Sequence, residues 1–164
     1  AVSIMLYQWI MGRKRVVETA RDVLTEMLDD ICLLISYRLG KTEEKPDLTD
    51  IRRKLCRLGR TVYERRKKVL CISDASFSMV AAGRGLEHLL ILVHELPEQL
   101  SHHDTALLLY TLDRLASFRA FLQRETKELP PLSSSDLPDE KHGKTAHLFY
   151  NTLLYTLGQT SAHV

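Results

Sequence analysis

The chain has 164 residues, 45% hydrophobic and 27% charged, a balance that excludes wholesale disorder and suits one ordinary domain, residues 1–164. Its 23 basic and 21 acidic side chains leave a net charge of +2, which excludes a globally basic nucleic-acid coat and a strongly acidic solvating protein. The average conceals a split: residues 1–82 carry 16 basic and 11 acidic side chains, residues 83–164 carry 7 and 10. Such asymmetry points to an anionic partner, or to one half docking on the other or on a second copy.

The N-terminal stretch AVSIMLYQWIM is apolar nearly all round and is followed by Arg13, Lys14 and Arg15. A secretory signal places its cations before the apolar run, so this is not one. Eleven residues are also too few to cross a bilayer, which takes about 20. The chain begins at Ala1 rather than Met, so an excised domain is expected, and a truncated membrane-proximal segment is a further reading. A helix apolar on every side has to be buried in its own core, bind a partner or touch a membrane. Met5, Leu6, Tyr7, Trp9 and Ile10 are the candidate partner-binding residues, with Tyr7 and Trp9 as large anchors.

From Val16 to Leu39 apolar residues recur every three or four positions, predicting one long amphipathic helix whose stripe reaches back to Val2. Gly12 weakens the join, and Gly40 is the expected stop because glycine tolerates a left-handed cap. After a polar loop containing Pro46, Thr49 is the expected cap of a second helix. Its stripe is Ile51, Leu55, Leu58, Val62 and Val69, and its end is expected near Leu70 or Cys71.

Residues 52–68 of this second helix hold nine cations and one acid, Glu64. The candidate anion-binding set is Arg53, Arg57, Arg60, Arg65, Lys67 and Lys68. Two readings follow: an electropositive ridge for nucleic acid or anionic membrane lipids, or a solvated face neutralised by Glu18, Asp22, Glu26, Asp29 and Asp30 of the first helix. Tyr63 is the only aromatic there, too few for single-strand stacking. Cys56, Gly59 and Tyr63 share one flank, and Gly59 marks either a tight helix crossing or a tolerated defect.

Ser73 or Asp74 caps a third helix in which Gly83 and Gly85 sit inside or break the run, and Pro97 closes it. Ser101 and Asp104 have capping-box spacing. The fourth helix carries Leu108, Leu112, Leu115, Phe118, Phe121 and Leu122, and ends before Pro130-Pro131. A flexible linker at about 130–143 precedes a last helix from about Thr145 to Leu157, with Phe149, Leu153 and Leu157 on one face and Gly158 as its end. Ser133-Ser134-Ser135-Asp136 in that linker is a weak phosphorylation signal. The fold class is therefore all-α, an antiparallel helical bundle of four to five helices. The alternative is a short HEAT-like repeat, because Leu108-Leu109-Tyr110-Thr111-Leu112 recurs as Leu153-Leu154-Tyr155-Thr156-Leu157 and His102 aligns with His147.

Catalytic and metal motifs are weak. His94-Glu95-Leu96-Pro97-Glu98 lacks the second His of a zinc helix. His102-His103-Asp104 is explained by capping, and His88 with His94 is misaligned. Gly83-Arg84-Gly85 has His88 where a dinucleotide loop needs glycine. Cys32, Cys56 and Cys71 are odd in number with no C-x-x-C pair, which indicates reduced thiols and an intracellular, cytoplasmic or nuclear setting. The sequence thus reads as a non-enzymatic adaptor, scaffold or assembly domain. It docks a protein partner, or a second copy, through apolar helix faces. The alternative is a polyanion-binding module built on helix 52–68. No catalytic residue, metal, cofactor or small-molecule substrate is expected.

Overall fold

The computed structural model describes residues 1–66, 74–129 and 143–161. Within them the chain is all-α: α1 (Val2–Arg38), α2 (Leu48–Arg66), α3 (Asp74–Glu95), α4 (His102–Leu122) and α5 (Gly143–Ser161). The predicted linker, its serine cluster, Pro130-Pro131, Ser73, Lys67, Lys68, Val69 and the expected end of the second helix at Leu70 or Cys71 lie outside the described residues.

α1 is one continuous helix through Gly12, so the expected weak join does not interrupt it. Its end follows from Gly40, whose φ of +70° lets Lys41 N–H reach Ser36 O (2.9 Å) and Gly40 N–H reach Tyr37 O (3.0 Å). This Schellman closure satisfies carbonyls that the helix itself leaves open. α2 is capped two residues earlier than expected, by Asp47 rather than Thr49: the Asp47 carboxylate accepts the Thr49 backbone N–H at 2.9 Å. A carboxylate there both caps and complements the positive end of the helix dipole. The Ser101–Asp104 capping box is present in full. α5 does not end at Gly158 but continues to Ser161, since nothing crowds that glycine or forces a left-handed turn.

Ala20, Leu24, Met27, Leu28, Ile31 and Ile35 of α1 are fully buried, as are Ile51 and Leu58 of α2, Leu86 and Leu89 of α3, Leu108, Leu115 and Phe118 of α4, and Phe149 and Leu153 of α5. Fully burying each such large side chain contributes roughly 1.5–3 kcal/mol, which offsets the chain entropy lost on folding. The predicted stripes are therefore core faces in α4 and α5, in α1 from Ala20 onward and in α2 at Ile51 and Leu58, whereas the part of the α1 stripe that reaches back to Val2 is exposed.

Polar pairs fix the helix directions. Lys54 meets Asp30 and Arg57 meets Glu26, so α2 runs antiparallel to α1. Arg52 faces Glu87, and Gly83 lies beside Leu55 and Leu58, so α3 runs antiparallel to α2. α3 is then parallel to α1, with Leu24 near Gly83 and Arg38 donating to Leu96 O at 2.8 Å. α3 packs most extensively against α5 and also against α1 and α2. The two copies of Leu-Leu-Tyr-Thr-Leu are placed alike: Leu108 and Leu153 are buried, Leu109 and Leu154 exposed, and Thr111 and Thr156 fully buried. Each buried threonine returns its hydroxyl to the carbonyl four residues back, at 2.8 Å and 2.7 Å. That is the local way to satisfy a hydroxyl inside an apolar helix interface.

Candidate functional site: the projecting N-terminal turns and the basic helix

The core of α1 begins at Ala20. At about 1.5 Å per residue, the turns before it extend on the order of 28 Å. Within them Val2, Ile4, Met5, Leu6, Tyr7 and Ile10 are exposed, Met5 by 72% and Tyr7 by 63%, and Trp9 is partly covered. The reading in which this segment packs into its own core is thus not realised. The proposed anchors Met5, Leu6, Tyr7, Trp9 and Ile10 stand together within two turns, and their exposure runs around the helix rather than along one face. A stable monomer seldom leaves so many adjacent large apolar side chains in water.

The basic helix divides. Lys54 is only 16% exposed and is held by Asp30 at 2.5 Å and Asp50 at 2.9 Å. Burial alone would lower its pKa, but the hydrogen bonds it donates to both carboxylates outweigh that and raise it. Arg57 pairs with Glu26 at 3.1 Å. Arg52 and Arg53 point outward, 70% and 72% exposed, with Glu87 and Asp50 at 3.8 Å and 3.3 Å. Arg60 is exposed further along the helix. Arg65 stands in the last described turn of α2 with its side chain outside the described set, and Lys67 and Lys68 lie beyond it. Of the first-helix acids, Glu26 and Asp30 neutralise α2. Asp29 turns instead to Arg119 of α4, at 2.6 Å.

The weaker motifs resolve as packing. Gly83-Arg84-Gly85 lies mid-helix in α3, where Gly83 admits the Leu55 and Leu58 side chains and Gly85 admits Thr156. No phosphate-cradling loop forms there. Gly59 has nothing within 4 Å of where a Cβ would stand, so it marks no tight crossing, and its neighbours Cys56 and Tyr63 are exposed. His88 and His94 are exposed, and the described residues contain no group of three or more His, Cys, Asp or Glu able to hold a metal. His94 and Glu98 do line one open cleft of about 540 Å³ with Tyr37 and Arg38. Arg38 was not singled out by sequence reasoning; it donates to Leu96 O and Pro97 O and so ties the end of α1 to the turn after α3. Its position near a helix C-terminus, four residues after an apolar Leu34, was the only available signal.

Among the described residues no helix is long and apolar enough to cross a membrane. Comparison of the chain with family models, with curated proteins and with solved structures finds no match.

Proposed function

We propose that this chain is a non-enzymatic interaction domain whose helical body presents the N-terminal turns of α1 as its attachment point. One observation carries the reading: Val2, Ile4, Met5, Leu6, Tyr7 and Ile10 are exposed together on adjacent turns, a denser apolar run than the separate exposed Leu109, Leu148, Leu154 and Tyr155 of the body. Covering those side chains on association supplies the driving force, and Tyr7 and Trp9 supply large rigid contact area. The free thiols of Cys32 and Cys56 suit a reducing compartment, cytoplasm or nucleus.

The test is mass in solution as a function of concentration, by light scattering. Wild type associates, and Trp9→Ala and Leu6→Asp reduce that association without lowering the melting temperature. An unaltered mass for both variants, with no partner or surface lost by either, sinks the reading.

The outward Arg52 and Arg53 favour a second reading, polyanion binding by α2. It requires that changing Arg53, Arg57, Arg60 and Lys67 to Glu abolish binding of nucleic acid and that wild-type binding fall steeply with salt. The engagement of Lys54 and Arg57 by Glu26 and Asp30 removes part of that ridge from such a role.

A further inference from the structure

We infer that the partner covering the N-terminal turns of α1 is the surface of an anionic lipid bilayer. The inference rests on the attachment reading above and names its occupant.

Three observations select lipid over a protein groove. The first is symmetry. A helix that docks in a groove shows one apolar stripe and keeps a polar face for water. Here Ile4, Met5, Leu6 and Tyr7 occupy four consecutive positions, hence every side of the helix, and all are exposed. A solvent that surrounds the helix meets that demand; a groove covers one side of it.

The second is charge order. The chain has no acid before Glu18, and Arg13, Lys14 and Arg15 follow the apolar turns directly. The antiparallel register of Lys54 with Asp30 and Arg57 with Glu26 brings the C-terminal end of α2 toward the same level. Extrapolated along both helices at about 1.5 Å per residue, positions 65 and 66 fall beside about residue 18 of α1. The basic positions 13–15 of α1 and 65 and 66 of α2 therefore fall in the helix turns between the apolar run and the core that begins at Ala20. Anionic head groups attract such juxtamembrane clusters by about 1 kcal/mol per Lys or Arg, about fivefold in affinity for each.

The third is the order of aromatics along the axis. Tyr7 and Trp9 lie between the apolar Val2, Ile4, Met5 and Leu6 and the basic cluster. Their amphipathic rings favour the boundary between acyl chains and head groups. The apolar run Val2–Met11 measures about 15 Å, roughly one leaflet of a hydrocarbon layer about 30 Å thick.

Trp9 is the chain's single tryptophan, so its emission reports this segment alone. The experiment is flotation of the full chain with phosphatidylcholine vesicles, with and without phosphatidylserine, reading Trp9 emission on the same samples. The expected result is flotation with phosphatidylserine vesicles and a shift of emission to shorter wavelength. Ile10→Asp abolishes both, each of Arg13→Gln, Lys14→Gln and Arg15→Gln lowers affinity about fivefold, and added salt weakens binding. A chain that stays at the bottom of the gradient with unshifted Trp9 emission overturns the inference. If it then still self-associates in solution and Leu6→Asp removes that association, the attachment reading stands and a second copy is the occupant. Binding to phosphatidylserine vesicles that survives Ile10→Asp but is lost on charge reversal of α2 also overturns it, in favour of the basic helix.

Discussion

A Cβ placed on Gly85 of α3 would stand 2.1 Å from Oγ1 of Thr156 on α5 and 3.4 Å from that residue's Cα. The two helices meet closely because one side offers no side chain and the other offers a compact one whose hydroxyl is already satisfied by Thr152 O. Gly85→Ala therefore forces α3 and α5 apart. Overpacking of this kind costs roughly 1–3 kcal/mol, and better helix propensity returns about 1. The expected net loss of about 1 kcal/mol lowers the melting temperature by about 3 °C. Adding Thr156→Ala removes the 2.1 Å conflict and recovers most of the loss. A Gly85→Ala variant that melts at or above wild type refutes the close crossing.

α4 closes as α1 does, with Glu125 N–H on Ala120 O and Arg124 N–H on Phe121 O, but with Arg124 at φ +60° where α1 has a glycine. A residue with a Cβ is strained there by roughly 1 kcal/mol. Arg124 also stands near Arg21, whose pKa is lowered first by burial and then by this neighbouring cation. Arg124→Gly relieves both, so thermal melting should rise by about 3 °C. A fall would show that Arg124 contributes contacts outweighing its backbone cost.

How much of this was legible in the sequence depends on the kind of signal. Apolar periodicity located the buried faces, from Leu24 to Ile35 and from Leu108 to Phe118, because a helix repeats its environment every three to four residues. Gly40 and the Ser101–Asp104 box were readable because caps are local chemistry. The choice of Asp47 over Thr49 was not, since both side chains can cap and the loop through Pro46 decides which is placed to do so. The role of Gly85 was not readable either, because the reason for the missing side chain is Thr156, 71 residues away. Charge pairing was half legible: the acids of α1 were visible, but only the helix register sends Glu26 and Asp30 to α2 and Asp29 to Arg119.

The cysteines should differ in reactivity. Burial, with Asp29 adding to it, pushes the Cys32 thiol up to about 11, whereas Cys56 is exposed on α2. At pH 8 about one Cys32 in a thousand is thiolate, the form that reacts. Alkylation with iodoacetamide at that pH, followed by peptide mass spectrometry, should modify Cys56 at least about tenfold faster than Cys32. Equal rates would mean that the α1–α4 contact opens readily around Cys32.

Among the described residues Lys54 is the most buried cation tying α2 to α1, and its pH dependence has a definite sign. Its pKa is raised in the folded chain: burial opposes the charge, and the bonds to Asp30 and Asp50 prevail. A raised pKa stabilises below the unfolded value of about 10.4 and loses that contribution as pH rises through the folded value. The Asp50 carboxylate is held below its ordinary range, first by its hydrogen bond from Lys54; desolvation opposes this, and the charges of Lys54, Arg53 and Arg57 add to the lowering. Its contribution is present above about pH 3.9 and lost as pH falls through the lower folded value. Melting temperature should therefore be flat from about pH 5 to 9 as far as this tie is concerned. It should decline at both extremes. Lys54→Met keeps the stem that packs on the core but leaves Asp30 without its ammonium, costing roughly 1 kcal/mol at neutral pH. In that variant the alkaline decline should flatten relative to wild type. A Lys54→Met variant that parallels wild type across the alkaline limb would place the tie between α1 and α2 in their apolar contacts alone.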